Sequence, residues 1–239
     1  ATSAVQNGVL PYCETTRKGL PFALLDPPAG LTCAQMRTYV STTAALEESS
    51  EIAAIYYPRI LVDNPNTALF GNSATIVAPV SGAIAGLCAR LDASKPGGSA
   101  EHPASIELGT LRSARGIEST SDVKDEVKRG LLFDTMVNPI MVGNGVYVDG
   151  ARCLKSSGQF PTVGESRFIL FLQQSYIPLV DPKRNRNNRP RLRNEVKMSY
   201  EEFLRTLTKA ECFASNVDAL AWRFDIGEAL NTASDQVAR

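Results

Sequence analysis

Histidine is nearly missing from this sequence. The one copy is His102, in "GGSAEHPAS", so a catalytic triad or a histidine-rich metal centre has little to draw on. An excess of either charge is missing too, since 25 Lys and Arg balance 25 Asp and Glu. Nothing global therefore pulls the chain towards nucleic acid or an anionic membrane. No stretch approaches the ~18 apolar residues of a membrane span, and the opening residues do not read as a signal peptide. The five cysteines, Cys13, Cys33, Cys88, Cys153 and Cys212, include no CxxC pair. They read as reduced thiols of a cytoplasmic product, not as a disulfide framework or a zinc site. The expectation is a protein with no metal, no cofactor, no nucleic acid and no membrane.

What is present suits a globular fold. Apolar residues make up 44% of the 239, enough for a substantial core. The sequence starts without Met and ends on Arg239, where a trypsin-like protease would stop, so a fragment is expected, either protease-resistant or designed.

The pattern changes character along the chain. "PFALLD" (Pro21–Asp26) reads as a buried strand, and "LTCAQMRTYVSTTAALEE" as a helix capped by Thr32 with Met36, Tyr39 and Val40 on one face. "EIAAIYYP" reads as a second strand, which makes Pro21–Pro58 a right-handed βαβ unit. "ATIVAP" (Ala74–Pro79) is a third strand, followed by a helix with Val80, Ile84, Leu87 and Leu91 on one stripe. "ASIEL" (Ala104–Leu108) suggests a short strand. Further on, Ser119 and Asp122 have capping-box spacing before a helix stopped by Gly130. Asn144-Gly145 suits a type I′ hairpin, and Thr162 and Ser199 sit where helix caps would. "ALAWRFDI" (Ala219–Ile226) alternates like a half-buried strand. The expected architecture is an α/β domain over 1–116 and a smaller, truncated α+β domain over 117–239.

Three stretches invite chemistry. "VAPVSGAIAG" (Val77–Gly86) lacks the GK[ST] of a phosphate loop and the GxGxxG of a dinucleotide site. Its small residues Gly82, Ala83, Ala85 and Gly86 would let a helix sit close to a sheet. Ser81 would need His102 as base and Asp26 or Asp92 as orienter to act as a nucleophile, and no GxSxG surrounds it. Ser81 as helix N-cap is the simpler reading. The third stretch, "DPKRNRNNRPRLRN" (Asp181–Asn194), concentrates Lys183, Arg184, Arg186, Arg189, Arg191 and Arg193. It can be a nucleic-acid arm, a solvated loop or a patch facing an acidic protein surface. No aromatic residue is interleaved for base stacking.

Several stretches taken in order resemble one family. These are "FALLDPPAG", "IAAIYYPRILVDNP", "VAPVSGAIAGLCARLDA", "VYVDGARCL", "SRFILFLQQSYIP" and "ALAWRFDIGEALNTASDQVA". The succession resembles contractile tail sheath proteins of bacteriophages over most of residues 20–239. The departures are an extra residue in Val77–Gly82 against V-P-P-S-G, Cys153 in place of Thr, and Ser166-Arg167 in place of Arg-Arg. "EHPAS" stands where a W-x-A-P-A loop is usual, and the basic stretch after Asp181 is longer. These point to a divergent branch of the giant phiKZ-like phage kind.

The resemblance implies a subtilisin-like outline for the α/β part without protease chemistry. It implies a structural, non-enzymatic subunit in the virion, assembled in the host cytoplasm. Such subunits stack in rings around a tail tube between baseplate and tail terminator, and contract to drive the tube through the host envelope. The partners would be other sheath subunits, the tube protein, the baseplate and the terminator. Terminal arms link neighbouring subunits in that family, so a fragment without them is expected to be monomeric. The six basic residues 183, 184, 186, 189, 191 and 193 are the expected assembly contact. A contractile bacteriocin or secretion-system sheath is a close alternative, and a serine hydrolase using Ser81 a distant one.

Overall fold

The computed structural model describes residues 3–68, 73–183, 186–187 and 189–226. Its centre is a sheet of four strands in the order β1 (Ala23–Leu25), β2 (Ala53–Tyr57), β6 (Val137–Val142) and β7 (Val146–Val148). The first three are parallel, with Ala23 opposite Ala53 and Ile55 opposite Val137, and β7 returns antiparallel. Every residue of β2 is buried. Successive side chains of a strand point to opposite faces, and β2 feeds two cores accordingly. Ala53, Ile55 and Tyr57 join one cluster with Met36, Val40 and Leu132, while Ala54 and Tyr56 join another with Ile84, Leu87 and Leu91. The first face is covered by α1 (Ser3–Pro11), α2 (Cys33–Thr38) and α4 (Glu126–Phe133), and the second by α3 (Ser81–Asp92). A three-layer, mixed α/β fold results.

The strand–helix–strand reading of Pro21–Pro58 matches parallel β1 and β2 joined through α2. Thr32 caps α2 in a full capping box with Gln35, and Met36, Tyr39 and Val40 all face inward. The stripe Val80, Ile84, Leu87, Leu91 is buried as its spacing requires.

The chain does not keep adding parallel strands. β4 (Thr75–Ala78) pairs antiparallel with β3 (Ile60–Asp63), which pairs with β5 (Ala114–Ile117), in a separate sheet of order β4-β3-β5. The main sheet also takes its last two strands, β6 and β7, from beyond residue 116.

Several local expectations fail for identifiable reasons. Ala104–Leu108 is a turn, with Gly109 N–H donating to Ser105 O at 2.9 Å. The helix expected from Ser119 begins only at Glu126. Asp125 is its cap, accepting from the N–H groups of Val127 and Lys128, and Gly130 lies inside it. Val127, in the first turn of that helix, is accordingly 84% exposed. The β6–β7 hairpin has three residues between the paired Val142 and Val146, and neither Asn144 nor Gly145 takes a positive φ, so the turn is not type I′.

The last described part is a helix pair. α5 (Val163–Val180) and α6 (Pro190–Lys209) lie antiparallel, since Tyr176 meets Tyr200 at 5.2 Å while Phe171 meets Phe203 at 5.9 Å. Thr162 caps α5 as expected. Ser199 caps nothing: α6 starts nine residues earlier at Pro190, and the Ser199 hydroxyl donates to Glu195 O. Ala219–Ile226 is not a strand. The short α7 (Asp218–Ala221) runs into it, and a run without regular secondary structure, 222–226, follows. Within that run Trp222 and Phe224 pack on the helix pair while Arg223 and Asp225 are exposed, so period two survives without a strand partner among the described residues.

Candidate functional site

The loop after β4 was the strongest candidate for catalysis, and Asp26 decides its role. Asp26 Oδ1 accepts from the backbone N–H of Val80 at 2.8 Å and of Ser81 at 2.9 Å. The N-cap position of α3 is Val80, which has no capping side chain. Asp26 therefore caps α3 from the end of β1, where its negative charge also meets the positive end of the helix dipole. The carboxylate expected to orient a histidine is taken by backbone amides, and Ser81 is a first-turn residue, not the cap. His102 is exposed and lies against Gly164 at the start of α5, where its Nδ1 would stand 2.7 Å from an added Cβ. Among the described residues no hydrogen bond joins His102 to Ser81 or Asp26. The arrangement offers Ser81 no base.

The glycines of the same stretch behave differently from the sequence reading. Nothing lies within 4 Å of a Cβ built on Gly82 or Gly86, and both face solvent with Ala85. They do not bring α3 close to the sheet. Ile84, Leu87 and Leu91 on the opposite face make that contact.

The other motif residues are staples of the fold. The "VDGARCL" stretch is held by the buried Asn138 of β6, whose side chain donates to Ile55 O at 3.2 Å and Arg152 O at 2.8 Å, and accepts from Arg152 N–H at 2.7 Å. A Cβ on Gly150 would stand 2.9 Å from Asn138 Oδ1, which explains a glycine there. Arg152 donates to Phe133 O and stacks its guanidinium 4.7 Å above the Phe133 ring. Tyr57 donates its hydroxyl towards Leu31 O and Ser121 O, tying β2 to the segments around α2.

All five cysteines are free. Burial pushes the Cys33 and Cys153 thiols up to about 12, which leaves them inert at neutral pH. Among the described residues no cluster of three or more His, Cys, Asp or Glu could hold a metal ion. No helix among them is long and apolar enough to cross a membrane.

The basic stretch is not one loop. Lys183 ends a short 3₁₀ turn (Asp181–Lys183), and Pro190 opens α6, so Arg191 and Arg193 stand in the first turn of a helix. Lys183 is turned inward, 15% exposed, with Nζ 2.9 Å from Glu195 Oε1. That bond, with the nearby charges of Arg186 and Arg191, holds the Glu195 carboxyl below the usual range. Arg186, Arg189 and Arg191 are exposed, Arg193 is half-buried, and Arg184 lies outside the described residues. The first turn of α6 has no acidic residue. Cations there oppose the helix dipole, each by roughly 0.3–1 kcal/mol at low salt. A cap of exposed positive charge at a helix start is suited to an acidic surface brought by another molecule.

Two features escaped the sequence reading. Asp26 was read as a candidate orienter; the missing signal was that no capping residue precedes Ser81. Arg167 was noted only as half of a motif. It is in fact buried, and its Nη2 pairs with Asp92 Oδ1 at 2.6 Å, tying α5 to the end of α3.

No protein-family model matches the chain, and no curated protein matches it. Solved structures do. The chain is similar to a chain of the anti-feeding prophage baseplate, with a TM-score of 0.73 at 17% identity, over 100% of this chain and 59% of that one. It is similar to the PVC sheath complex of an extracellular contractile injection system in the contracted state, with a TM-score of 0.70 at 22% identity, over 91% and 56%. The contracted helical sheath of the anti-feeding prophage gives 0.64 at 18%, over 86% and 51%. The chain thus has the fold seen in contractile injection system sheath and baseplate structures, and spans between half and three-fifths of the length of those chains.

Proposed function

We propose that this chain is part of a contractile sheath subunit, a structural element that stacks around a tube and contracts to drive it through an envelope. The observation that carries the reading is the shared fold along at least 86% of this chain, at TM-scores of 0.64 to 0.73. Its support is that the Ser81 stretch and the "VDGARCL" stretch hold strands and helices in place, with Asp26 bonded to backbone amides at the start of α3. On this reading the domain of subtilisin-like outline, expected over 1–116, also takes in α4, β6 and β7, and the smaller C-terminal domain opens at α5 instead of at 117. Contraction consumes no nucleotide. It moves rigid subunits between two sets of contacts of unequal free energy.

The exposed arginines at the start of α6 are the proposed assembly contact, facing acidic residues of the tube or of the next ring. Reversing Arg186, Arg189 and Arg191 to Glu is expected to abolish assembly and leave the circular dichroism of the subunit unchanged. Normal assembly of that variant would remove these residues from the contact.

Within contractile systems, we read the phage-like arrangement of motifs as a tail sheath of a virion, with tube, baseplate and terminator as partners. A second reading, the sheath of an extracellular injection system, is favoured by the neighbours' own names. Electron microscopy tests the common part. Expressed with whatever sequence flanks it in its gene, the purified protein should form hollow tubes on concentration, whereas the 239 residues alone should stay monomeric. Dispersed globular particles under both conditions would count against a sheath. A fluorophosphonate probe should leave Ser81 unlabelled; labelling there would favour a hydrolase.

A further inference from the structure

The sequence has two Asn-Gly pairs, Asn7-Gly8 and Asn144-Gly145, and the fold places them in opposite settings. The first lies inside α1. Gly8 stands past the first four residues of that helix, so its N–H is taken by the carbonyl one turn back, and both residues are held at helical dihedrals. The second pair forms the tip of the β6–β7 hairpin. Gly143, Asn144 and Gly145 are all exposed, between Val142 and Val146, the last paired residues of the two strands. Gly143 N–H donates to Gly145 O at 2.8 Å, but among the described residues neither the Asn144 side chain nor the Gly145 N–H has a hydrogen-bond partner.

The side-chain carbonyl carbon of an asparagine and the next backbone nitrogen can close a five-membered ring. Closure needs a free N–H, rotation of the backbone between the two atoms, and room for the ring. A glycine after the asparagine supplies the last two, because no side chain hinders its backbone. Nothing lies within 4 Å of a Cβ built on Gly145, so the tip has that room. Exposed loop tips are also where the backbone is held least. By contrast, Asn64 and Asn138 precede proline, whose nitrogen has no proton to lose.

We propose that Asn144 is a site of spontaneous deamidation, with water as the co-reactant, while its helix protects Asn7. Gly145 N gives up its proton and bonds to Asn144 Cγ. The Cγ–Nδ2 bond breaks, and Nδ2 takes up a proton and leaves as ammonia. One water then opens the succinimide. Cleavage of the Cγ–N bond gives aspartate. Cleavage at the Asn144 backbone carbonyl carbon gives isoaspartate, with the chain running through Cγ. One water is consumed, one ammonia is released and nothing is oxidised. Either product puts a negative charge on the tip of a chain whose formal charge is zero. Isoaspartate also adds one main-chain carbon to a three-residue turn. The proposal rests on the hairpin alone and stands apart from the sheath reading.

The intact protein, held at mildly alkaline pH and sampled over time, tests it. Trypsin cleavage after Arg17, Arg129 and Arg152 puts the two pairs in separate peptides, 1–17 and 130–152. Mass spectrometry follows the gain of one mass unit in each, and fragmentation places it and separates aspartate from isoaspartate. In the native protein Asn144 should react at least about tenfold faster than Asn7. In urea, where helix and hairpin are gone, the two rates should agree within about threefold. Gly145→Ala, whose added methyl group meets nothing, should slow the reaction at Asn144 at least about tenfold and leave the fold intact. Equal native rates, a faster reaction at Asn7, or an Asn144 that reacts only in urea would each overturn the proposal. So would the same rate ratio in urea as in the native protein, or a rate that Gly145→Ala leaves unchanged.

Discussion

Replacing Asp26 by Ala removes the one side chain that, among the described residues, answers the amide groups at the start of α3. Both bonds, 2.8 Å to Val80 N and 2.9 Å to Ser81 N, end on the same carboxylate oxygen. Loss of a helix N-cap costs about 1 kcal/mol, within a range of roughly 0.5–2. Loss of a negative charge at the helix start adds roughly 0.3–1 kcal/mol. The sum is about 1–3 kcal/mol, which for a chain of this size lowers Tm by roughly 2–12 °C. Asp26→Asn keeps an acceptor oxygen and loses only the charge, so its cost should stay below about 1 kcal/mol. Ser81→Ala should lie within about 0.5 kcal/mol of the parent, as for a surface residue with no special role. Urea denaturation followed by far-ultraviolet circular dichroism compares all three. If Asp26→Ala unfolds within 0.5 kcal/mol of the parent, on the scale of such surface changes, the capping account is wrong. If Ser81→Ala is the more damaging change, Ser81 has a role the hydrogen bonds do not show.

Two other outcomes follow from the same reasoning. Glu48 accepts from the backbone and hydroxyl groups of Ser156 and Ser157, including Ser157 Oγ at 2.6 Å, and these bonds lower its carboxyl from 4.5 to about 2. A depressed folded pKa means stabilisation that is full above about pH 4.5 and is lost as pH falls towards 2. The stability gap between the parent and Glu48→Gln should therefore shrink between pH 6 and pH 3, as read from urea midpoints; a constant gap would show that the clasp does not titrate. Gly82→Ala and Gly86→Ala place a methyl group where nothing lies within 4 Å, so each should stabilise α3 by roughly 0.5–1 kcal/mol. A drop in Tm for either would mean that these glycines are held by a contact the isolated chain does have.

Much of the fold was legible because burial leaves a period in the sequence. β1, α2, β2 and the stripe of α3 could be read from it: β2 as a short apolar run buried on both faces, and the helices from an apolar residue every third or fourth position. The order of motifs also pointed to a contractile sheath, whose fold the chain shares with solved sheath and baseplate structures. Helix starts were less legible where a competing local signal existed. Ser119 and Ser199 stand at good capping positions, but Asp125 and Pro190 begin those helices. The alternation of Trp222 and Phe224 with Arg223 and Asp225 gave the right faces and the wrong partner. Period two reports which side chains are inside, not whether another strand bonds the backbone.

The sequence by itself determined which residues are inside, which stretches are regular and that Ser81 has little support for catalysis. Only the tertiary structure decided that Asp26 caps a helix whose first turn lies more than fifty residues away, and that β6 joins β2. Only it placed Arg167 beside Asp92 with one amino group left over. Each of these links groups far apart in the chain, and no local pattern encodes a distance that closes only when the sheets and helices have packed.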